Sequence, residues 1–555
     1  MSEIKQLAYK NQDTILKIMG FILIVVLASV LRFWSITSYP PGFSADEATI
    51  GYNAYSILKT GKDEYGKWFP LAFKAFSDYQ APLYTYVAVP FVAILGLNEL
   101  AVRLPGALFG ILTIMVVYFL VAKLFKNFKI GLFAAFFLAI SPWHIFFSRG
   151  AWQANLATFW ITLGIYLFVL GLEKGKFLPL AIVTFLASLY SYQSPRLIVP
   201  LFGIFLLVFY GKELFKKKQA LITASIVGLI FFLPLIFILT GAAGQARFKG
   251  VSIFTDPGPI NRINQERGEH ANSQGVVARI FHNKLSTFTI VMAENYLEHF
   301  GPKFLFLKGD PIGRQNIPDT GVMYLFDIIF LPLGLFFTLQ RTHFGQSKII
   351  LLWLAVAPIA SALTFQTPNA LRAANMAVPL SIISSFGAFF LFANLSKRGV
   401  YIKFFGFLLA VVVISFFVTR QLHQYYIHLP KQHGLVWEYG FDQMITFVWE
   451  NQDKYKKVVI TNRYDQPYIL TLFYLKYDPK LYQMQPKTQS EIDVFGFTTI
   501  TAFDKYEFRP IRPEEIEANK NILFVGTAKE IPENISVVKT INFPNGQPAF
   551  KIVET

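Results

Sequence analysis

The chain has 555 residues, of which 54% are hydrophobic and only 15% charged; a soluble domain carries about a quarter charged residues. Stretches of 17 to 23 residues run almost without charge, long enough to cross a hydrocarbon core about 30 Å thick, and this excludes a soluble globular protein. Lys and Arg number 51 against 34 Asp and Glu, a net charge of +17. The basic residues gather at the ends of apolar runs, a placement that orients membrane helices and points away from nucleic acid as a partner. Cysteine is absent, so disulfides, thiolate metal sites and cysteine nucleophiles are excluded.

In chain order, the first apolar run covers roughly 14–36. It follows Lys5, Lys10 and Lys17, is too long for a signal peptide and ends without a small-residue cleavage site, so it reads as a retained signal anchor. Tyr39-Pro40-Pro41-Gly42 stops it, since proline cannot continue a helix. Later runs at 104–122, 130–147, 154–171, 177–192, 196–211, 219–240, 321–340, 348–365, 371–393 and 402–419 bring the expected spans to about eleven. One further stretch, 81–97, contains Pro82 and Pro90. If it lies in the membrane plane, the lysine-rich loops near 123–129, 174–176 and 212–218 share one side with the N-terminus. If it crosses, nearly every basic loop moves outside, against the positive-inside rule. The expected fold is therefore an α-helical polytopic protein of the plasma (inner) membrane with a cytoplasmic N-terminus. Its external parts are a long first loop, 37–103, holding an in-plane helix, and a second loop, 241–320. After residue 420 the charge becomes mixed, with a helical pattern near 436–452 and β-like runs at 458–460, 522–525 and 537–538. This predicts a membrane domain over 1–419 and a small external α/β domain over 420–555.

Charges in the external segments need a reason. Asp46 and Glu47 follow the first span, and Asp78 precedes the in-plane helix. A carboxylate at a water–lipid boundary can deprotonate an acceptor hydroxyl; equally, Asp46-Glu47 can cap the helix that begins at Ala48. Arg149, Arg196 and Arg372 sit at the outer ends of spans, and Arg247 and Arg314 belong to the second loop. Guanidinium groups bind phosphate with a bidentate fork, although snorkelling to lipid headgroups explains any one of them.

Several of these residues lie in longer motifs: Asp46-Glu47 after the first span, Asp78-Tyr-x-x-Pro-Leu-Tyr84, Arg103-Leu-Pro-Gly-Ala-Leu-Phe-Gly110, and Ala139-Ile-Ser-Pro-Trp-His-Ile-Phe-Phe-Ser-Arg149. Together they resemble the membrane-embedded C-type glycosyltransferases, in particular bacterial proteins of the protein O-mannosyltransferase and lipid A aminoarabinose transferase group. The resemblance is specific over about 30–200 and weaker over 296–375, where it includes His299. It implies an inverting transfer from a polyprenyl-phosphate sugar to an extracytoplasmic lipid, polysaccharide or protein. Asp46 is the implied base, Glu47 and Asp78 are acidic contributors, and the arginines are phosphate ligands; His144, Tyr192 and His299 are further site candidates. Where relatives often carry lysine and a second proline, this chain has Gln80-Ala81, and the segment after Arg149 lacks the metal-binding carboxylate of the oligosaccharyltransferase branch. The resemblance thus implies chemistry without a cofactor, a divalent metal being left open.

The chain carries no G-x-G-x-x-G or Walker fingerprint, as expected for a lipid-linked rather than nucleotide-linked donor. A transporter or flippase for lipid-linked sugars is the main rival, and it predicts ionisable residues within spans, of which Asp327 is the principal one. A binding or assembly protein working through its tail is a third reading.

Overall fold

A computed structural model of the chain describes residues 2–241, 244, 250–395, 397–490 and 498–555, with side chains from residue 14 onward. Its contacts divide it into two compact units. One comprises Met1–Trp34, Leu108–Ser148 and Gln153–Gln421; the other comprises Ser35–Ala107, Arg149–Trp152 and Leu422–Thr555.

The first unit is helical. Among the described residues, eight helices are long and apolar enough to cross a membrane, among them Thr14–Phe33, Glu99–Phe125 and Gln153–Glu173. A ninth span is formed if Phe128–Ile140 and Pro142–Ser148 count as one, bent by 61° where Pro142 interrupts the backbone ladder. Shorter apolar helices cover Leu83–Leu95, Gly175–Ser191 and Asp327–Leu339. All eleven runs expected as spans are thus helical, but two of them form helices too short for that test. The cause is plain at 321–340, where the backbone turns until Asp327 and the helix then has 13 residues, reaching only about 20 Å. Asp327 marks that start: its carboxylate accepts bonds from the Tyr324 amide, at 3.1 Å, and from the Ser384 hydroxyl. The stretch 81–97 becomes the Leu83–Leu95 helix with Pro90 inside it.

The second unit is built on a six-stranded mixed sheet of order β4-β5-β3-β6-β8-β7. These strands are β3 (Lys457–Ile460), β4 (Ala502–Phe503), β5 (Tyr506–Phe508), β6 (Ile522–Gly526), β7 (Lys539–Asn542) and β8 (Pro548–Glu554). Central β3 runs parallel to both β5 and β6, and its Val-Val-Ile and the Leu-Phe-Val of β6 are buried on both faces, which is why they read as continuous apolar runs. The edges, β4 and β7, are short or largely exposed.

One division falls between Gln421 and Leu422, beside the residue 420 that the composition predicts, but the first loop packs into this same unit as well. Long-range contacts decide it. Phe43 meets Phe473 at 4.5 Å between ring centroids, and the Tyr52 hydroxyl donates to the Tyr477 carbonyl. Gln483 Nε2 donates to Ser56, Thr60 and the Asp63 carbonyl. Within the loop, β1 (Phe73–Ala75) and β2 (Asp78–Gln80) form a hairpin. Its two-residue turn puts Phe76 and Ser77 at φ 55° and 71°, the primed geometry that strand twist favours. Neither residue is glycine, and the turn is anchored from outside: Ser77 bonds Thr498 at 2.6 Å, and the Thr498 amide donates to the Phe76 carbonyl.

Glu64 is wholly buried in this unit, and its amide donates to Asn53 Oδ1. Burial, reinforced by the charge of Asp63, pushes its carboxyl up to about 8. The folded state therefore keeps the proton at neutral pH, while the unfolded chain releases it near the ordinary value of 4.5. The stability this contributes is complete below about pH 4.5 and is lost as the pH rises to about 8. Glu64→Gln should flatten the fall in thermal midpoint between pH 5 and pH 8 and leave the protein more stable than wild type at the upper end. An unchanged slope in a detergent melt series would show that Glu64 is not the titrating group.

Candidate active site

The Ala45–Thr60 helix begins in a capping box. Ser44 Oγ accepts from the Glu47 amide, and the Glu47 carboxylate accepts from the Ser44 amide. Glu47 also takes both arms of Arg103, at 2.9 and 3.0 Å, and the Ala151 amide at 3.0 Å. Both side chains of the pair are enclosed, at 0% and 4% exposure. Arg103 spends its remaining donors on the carbonyls of Ile36, Thr37, Pro40 and Gly42. Glu47 is thus a structural hub; the helix starts at Ala45 rather than at the expected Ala48, with Ser44 as its cap and Glu47 completing the capping box as the third helical residue. Its neighbour Asp46 is exposed, and Asp46 Oδ1 accepts from Gln80 Nε2 at 2.9 Å. The hairpin therefore brings Gln80 to Asp46, and Asp78, half-buried, opens the same strand.

The Arg103-Leu-Pro-Gly motif acquires a physical reason at Gly106, where a Cβ would lie 2.5 Å from the Gly150 carbonyl oxygen. Beside it, Arg149 is fully enclosed. Its Nε donates to the Tyr425 hydroxyl at 3.1 Å and its Nη2 to the Tyr39 carbonyl at 3.3 Å. The guanidinium lies 5.1 and 5.5 Å from the ring centres of Tyr425 and Tyr426, a stacking that planar Arg accepts.

The other candidates belong to the helical unit. His144 is buried with Arg32, whose Nη2 stands 2.8 Å from Nδ1. Because Arg32 can only donate, Nδ1 is the acceptor and the imidazole is neutral. Arg32 also serves the carbonyls of Ala28 and Ala139, so the pair ties the end of the first span to the bent one. Tyr192 is a packing residue, buried with Ala154, Ala157 and Ala374. His299 is buried too: Nδ1 faces the Asn295 carbonyl at 2.8 Å, and Nε2 meets the Ser361 hydroxyl and the Asn369 amide. Burial first, and Arg372 as well, lower it to about 4. Asp310, which sequence reasoning passes over, accepts from the Ala370 and Ile312 amides, and burial pushes it up to about 7. Together His299 and Asp310 hold the segment that presents Arg372, a half-buried residue donating to Thr364 Oγ1 and the Phe365 carbonyl. Arg196 is half-buried, with Nε on the Leu189 carbonyl. Arg314 is half-buried on the Gly313–Gln315 turn, and Arg247 lies outside the described residues. Among the described residues, no three His, Asp or Glu side chains gather into a metal-binding cluster.

Residues 79–238 match the family model of dolichyl-phosphate-mannose-protein mannosyltransferases. No protein of curated function matches the sequence significantly. Among solved structures, apo ArnT from Cupriavidus metallidurans matches with a TM-score of 0.53 at 11% identity, over 96% of this chain and 97% of that one. The same protein bound to undecaprenyl phosphate matches with a TM-score of 0.51 at 11% identity, over 97% of each chain. The oligosaccharyltransferase AglB from Archaeoglobus fulgidus, in complex with an inhibitory peptide and a dolichol-phosphate, matches with a TM-score of 0.53 at 12% identity, over 83% of this chain. This chain spans 64% of that protein, just under two thirds of its length. The fold of this chain is thus similar to those of ArnT and of the oligosaccharyltransferase AglB, and residues 79–238 are similar to the mannosyltransferase family.

Removing one partner of a buried ion pair leaves an uncompensated charge, at about 3–5 kcal/mol. Arg103→Met and Glu47→Gln should therefore both destabilise the protein, the first by stranding the carboxylate and the second by leaving the guanidinium uncompensated and turning an Nε2 donor toward the Ser44 or the Ala151 amide. Thermal midpoints of the purified variants in detergent test this; a wild-type midpoint in both would deny the pair its structural role.

Proposed function

We propose that the chain is an integral membrane glycosyltransferase that moves a sugar from a polyprenyl-phosphate donor to an extracytoplasmic lipid, polysaccharide or protein acceptor. The observation that carries this reading is the difference between two adjacent carboxylates on one helix turn. Glu47 is consumed by Arg103 and backbone amides, whereas Asp46 stays exposed and is held by the neutral amide of Gln80. In the proposed step the acceptor oxygen attacks the anomeric carbon, and its proton passes to Asp46. The bond from that carbon to the phosphate oxygen breaks on the opposite face, and the polyprenyl phosphate leaves with the electron pair, inverting the centre. A charge-paired phosphate is already a good leaving group, so the protein mainly positions and stabilises. Arg196 and Arg372, both half-buried, are proposed for the phosphate; Arg149, enclosed by Tyr39, Tyr425 and Tyr426, is proposed to position the backbone around it. The scheme is written without a cofactor. The transporter alternative loses its main support, because Asp327 caps a helix and Arg32 is engaged by carbonyls and His144.

Release of polyprenyl phosphate from a labelled lipid-linked sugar, measured in detergent, tests the chemistry. Asp46→Asn should fold and bind donor normally while turnover falls about 10²–10⁴-fold, the range for lost general-base assistance. Full turnover by that variant would remove Asp46 from the mechanism. Arg196→Lys and Arg372→Lys keep the charge but lose the fork, so donor affinity should fall. Activity abolished by EDTA and restored by a divalent ion would replace the cofactor-free scheme.

The distribution of basic loops supports a cytoplasmic N-terminus and an outer-side C-terminus in the plasma membrane. A reporter fused after Thr555 should be active only in its extracytoplasmic form, and cytoplasmic activity alone would reverse the topology.

A further inference from the structure

The helical unit contains a groove of about 420 Å³ bounded by four helices, Gln153–Glu173, Leu178–Ser191, Pro195–Phe215 and Lys218–Thr240. Among the described residues that line it, Ser225 alone has a polar side chain. The groove runs lengthwise. Its lining on the third helix extends from Val199 to Leu214, a rise of about 22 Å, more than half of a hydrocarbon core about 30 Å thick. Gly203 widens it, since a Cβ there would meet nothing within 4 Å. Ile204 and Leu207, also in the lining, are more than half exposed, so the groove opens sideways toward lipid.

One end of the groove is rich in lysine. Leu178, Leu214 and Leu221 line that end, and around them the sequence places Lys174, Lys176, Lys212, Lys216, Lys217 and Lys218. All of these except Lys217 are exposed. Packing brings the two basic turns together: Lys217 Nζ donates to the Glu173 carbonyl at 2.9 Å, and a Cβ on Gly175 would lie 3.0 Å from the Ala220 Cβ. Lys348 adds a cation at this end, 4.0 Å from the ring centre of Tyr210, one turn before Leu214. The acids in these turns are Glu173, which Lys123 takes at 2.6 Å, and the exposed Glu213. Lysines that only orient the chain need share no more than a side of the membrane. That role does not gather them at the mouth of an apolar groove.

A long apolar slot that ends among ammonium groups is complementary to a lipid with an acyl chain and an anionic headgroup. The donor of the proposed reaction is also an anionic lipid, but its phosphate is assigned elsewhere. Arg196 opens the Pro195–Phe215 helix and Lys216 follows its end, about 30 Å apart along the axis, so one headgroup cannot occupy both. On the topology proposed above, the lysines face the cytoplasmic leaflet, whose anionic lipids attract basic segments. We propose that the groove is a binding site for an anionic phospholipid of that leaflet. One acyl chain lies along the groove, and the headgroup phosphate sits among the lysines. The choice of leaflet rests on the topology; the binding itself rests on neither the topology nor sugar transfer.

Native mass spectrometry of the full chain in non-ionic detergent tests it with three added lipids: dioleoyl phosphatidylglycerol, dioleoyl phosphatidylcholine and undecaprenyl phosphate. Phosphatidylglycerol should bind about tenfold or more tightly than phosphatidylcholine, because each lysine near an anionic headgroup contributes about 1 kcal/mol, or roughly fivefold. Lys174→Gln, Lys176→Gln, Lys216→Gln and Lys218→Gln, combined, alter exposed positions; the variant should keep its thermal midpoint and lose the preference. Gly203→Leu fills the groove without a clash and favours the helix. It should lose binding of both phospholipids while its midpoint does not fall. Equal binding of the two phospholipids by the wild type, or a preference that survives the four exchanges, would overturn the proposal. Undecaprenyl phosphate that displaces phosphatidylglycerol, and is itself weakened by the lysine exchanges, would also overturn it and give the groove to the donor. Undecaprenyl phosphate binding that is unchanged in both variants supports two separate lipid sites.

Discussion

Arg103 lies 56 residues beyond Glu47 in sequence, and its guanidinium gathers two carboxylate oxygens and four backbone carbonyls. Each of those carbonyls belongs to the short stretch that follows the first span. A buried cation without such company would carry a desolvation penalty of several kcal/mol. Here every donor has an acceptor, so the cost is offset and the geometry becomes specific. The path of residues 36–42 follows from it, as does the orientation of Glu47, which in turn fixes the Ala151 amide. Helical geometry then places Asp46. Successive residues are rotated by about 100° around a helix axis, so Asp46 lies on a different face from the enclosed Glu47, and that face is exposed.

Most of the helical architecture is legible from apolar runs because the lipid imposes length and composition on each crossing. Where the reading falters, local chemistry explains it. The run 130–147 looks continuous, yet Pro142 bends it by 61°. The run 321–340 looks long enough, yet Asp327 delays its helix. In the sheet, β3 and β6 announce themselves by being apolar on both faces, while β4 and β5 have only two and three residues, too few to show a period. The run 537–538 lies just before β7, which begins at Lys539. The change of composition near 420 marks one boundary, but that the first loop belongs with the tail is invisible in composition, because residues such as Phe43 and Phe473, or Ser56 and Gln483, look like ordinary core and surface choices until the chain brings them together.

The candidate site was legible as residue types and illegible as roles. Asp46 and Glu47 are adjacent acids with equal claims in sequence, and only the distant partner of one separates them. Arg149 stood out as a positive charge expected on the wrong side of the membrane, but its partner Tyr425 is 276 residues away. His144 and His299 attract attention as titratable groups. Each is instead held neutral by neighbours, His299 by contacts 62 and 70 residues further on. Arg32 and Asp310 escaped notice because one ends an apolar run and the other sits in an undistinguished loop. A signal for Arg32 does exist: an arginine in the last turn of an otherwise uncharged span needs a buried acceptor.

The arginines thus fall into two physical kinds. Arg32, Arg103 and Arg149 are fully enclosed, and a phosphate could take them only by displacing carbonyls, a carboxylate or a tyrosine already bound. Arg196 and Arg372 are half-buried, the first with Nε on the Leu189 carbonyl and the second on Thr364 and the Phe365 carbonyl. The enclosed kind nevertheless shapes the chain. By drawing the carbonyls of residues 36–42 toward themselves, Arg103 and Arg149 stiffen that segment. The backbone oxygens of that segment are held by Arg103 and Arg149, so its path is set by buried cations that are themselves fully engaged, and its shape does not depend on any ligand.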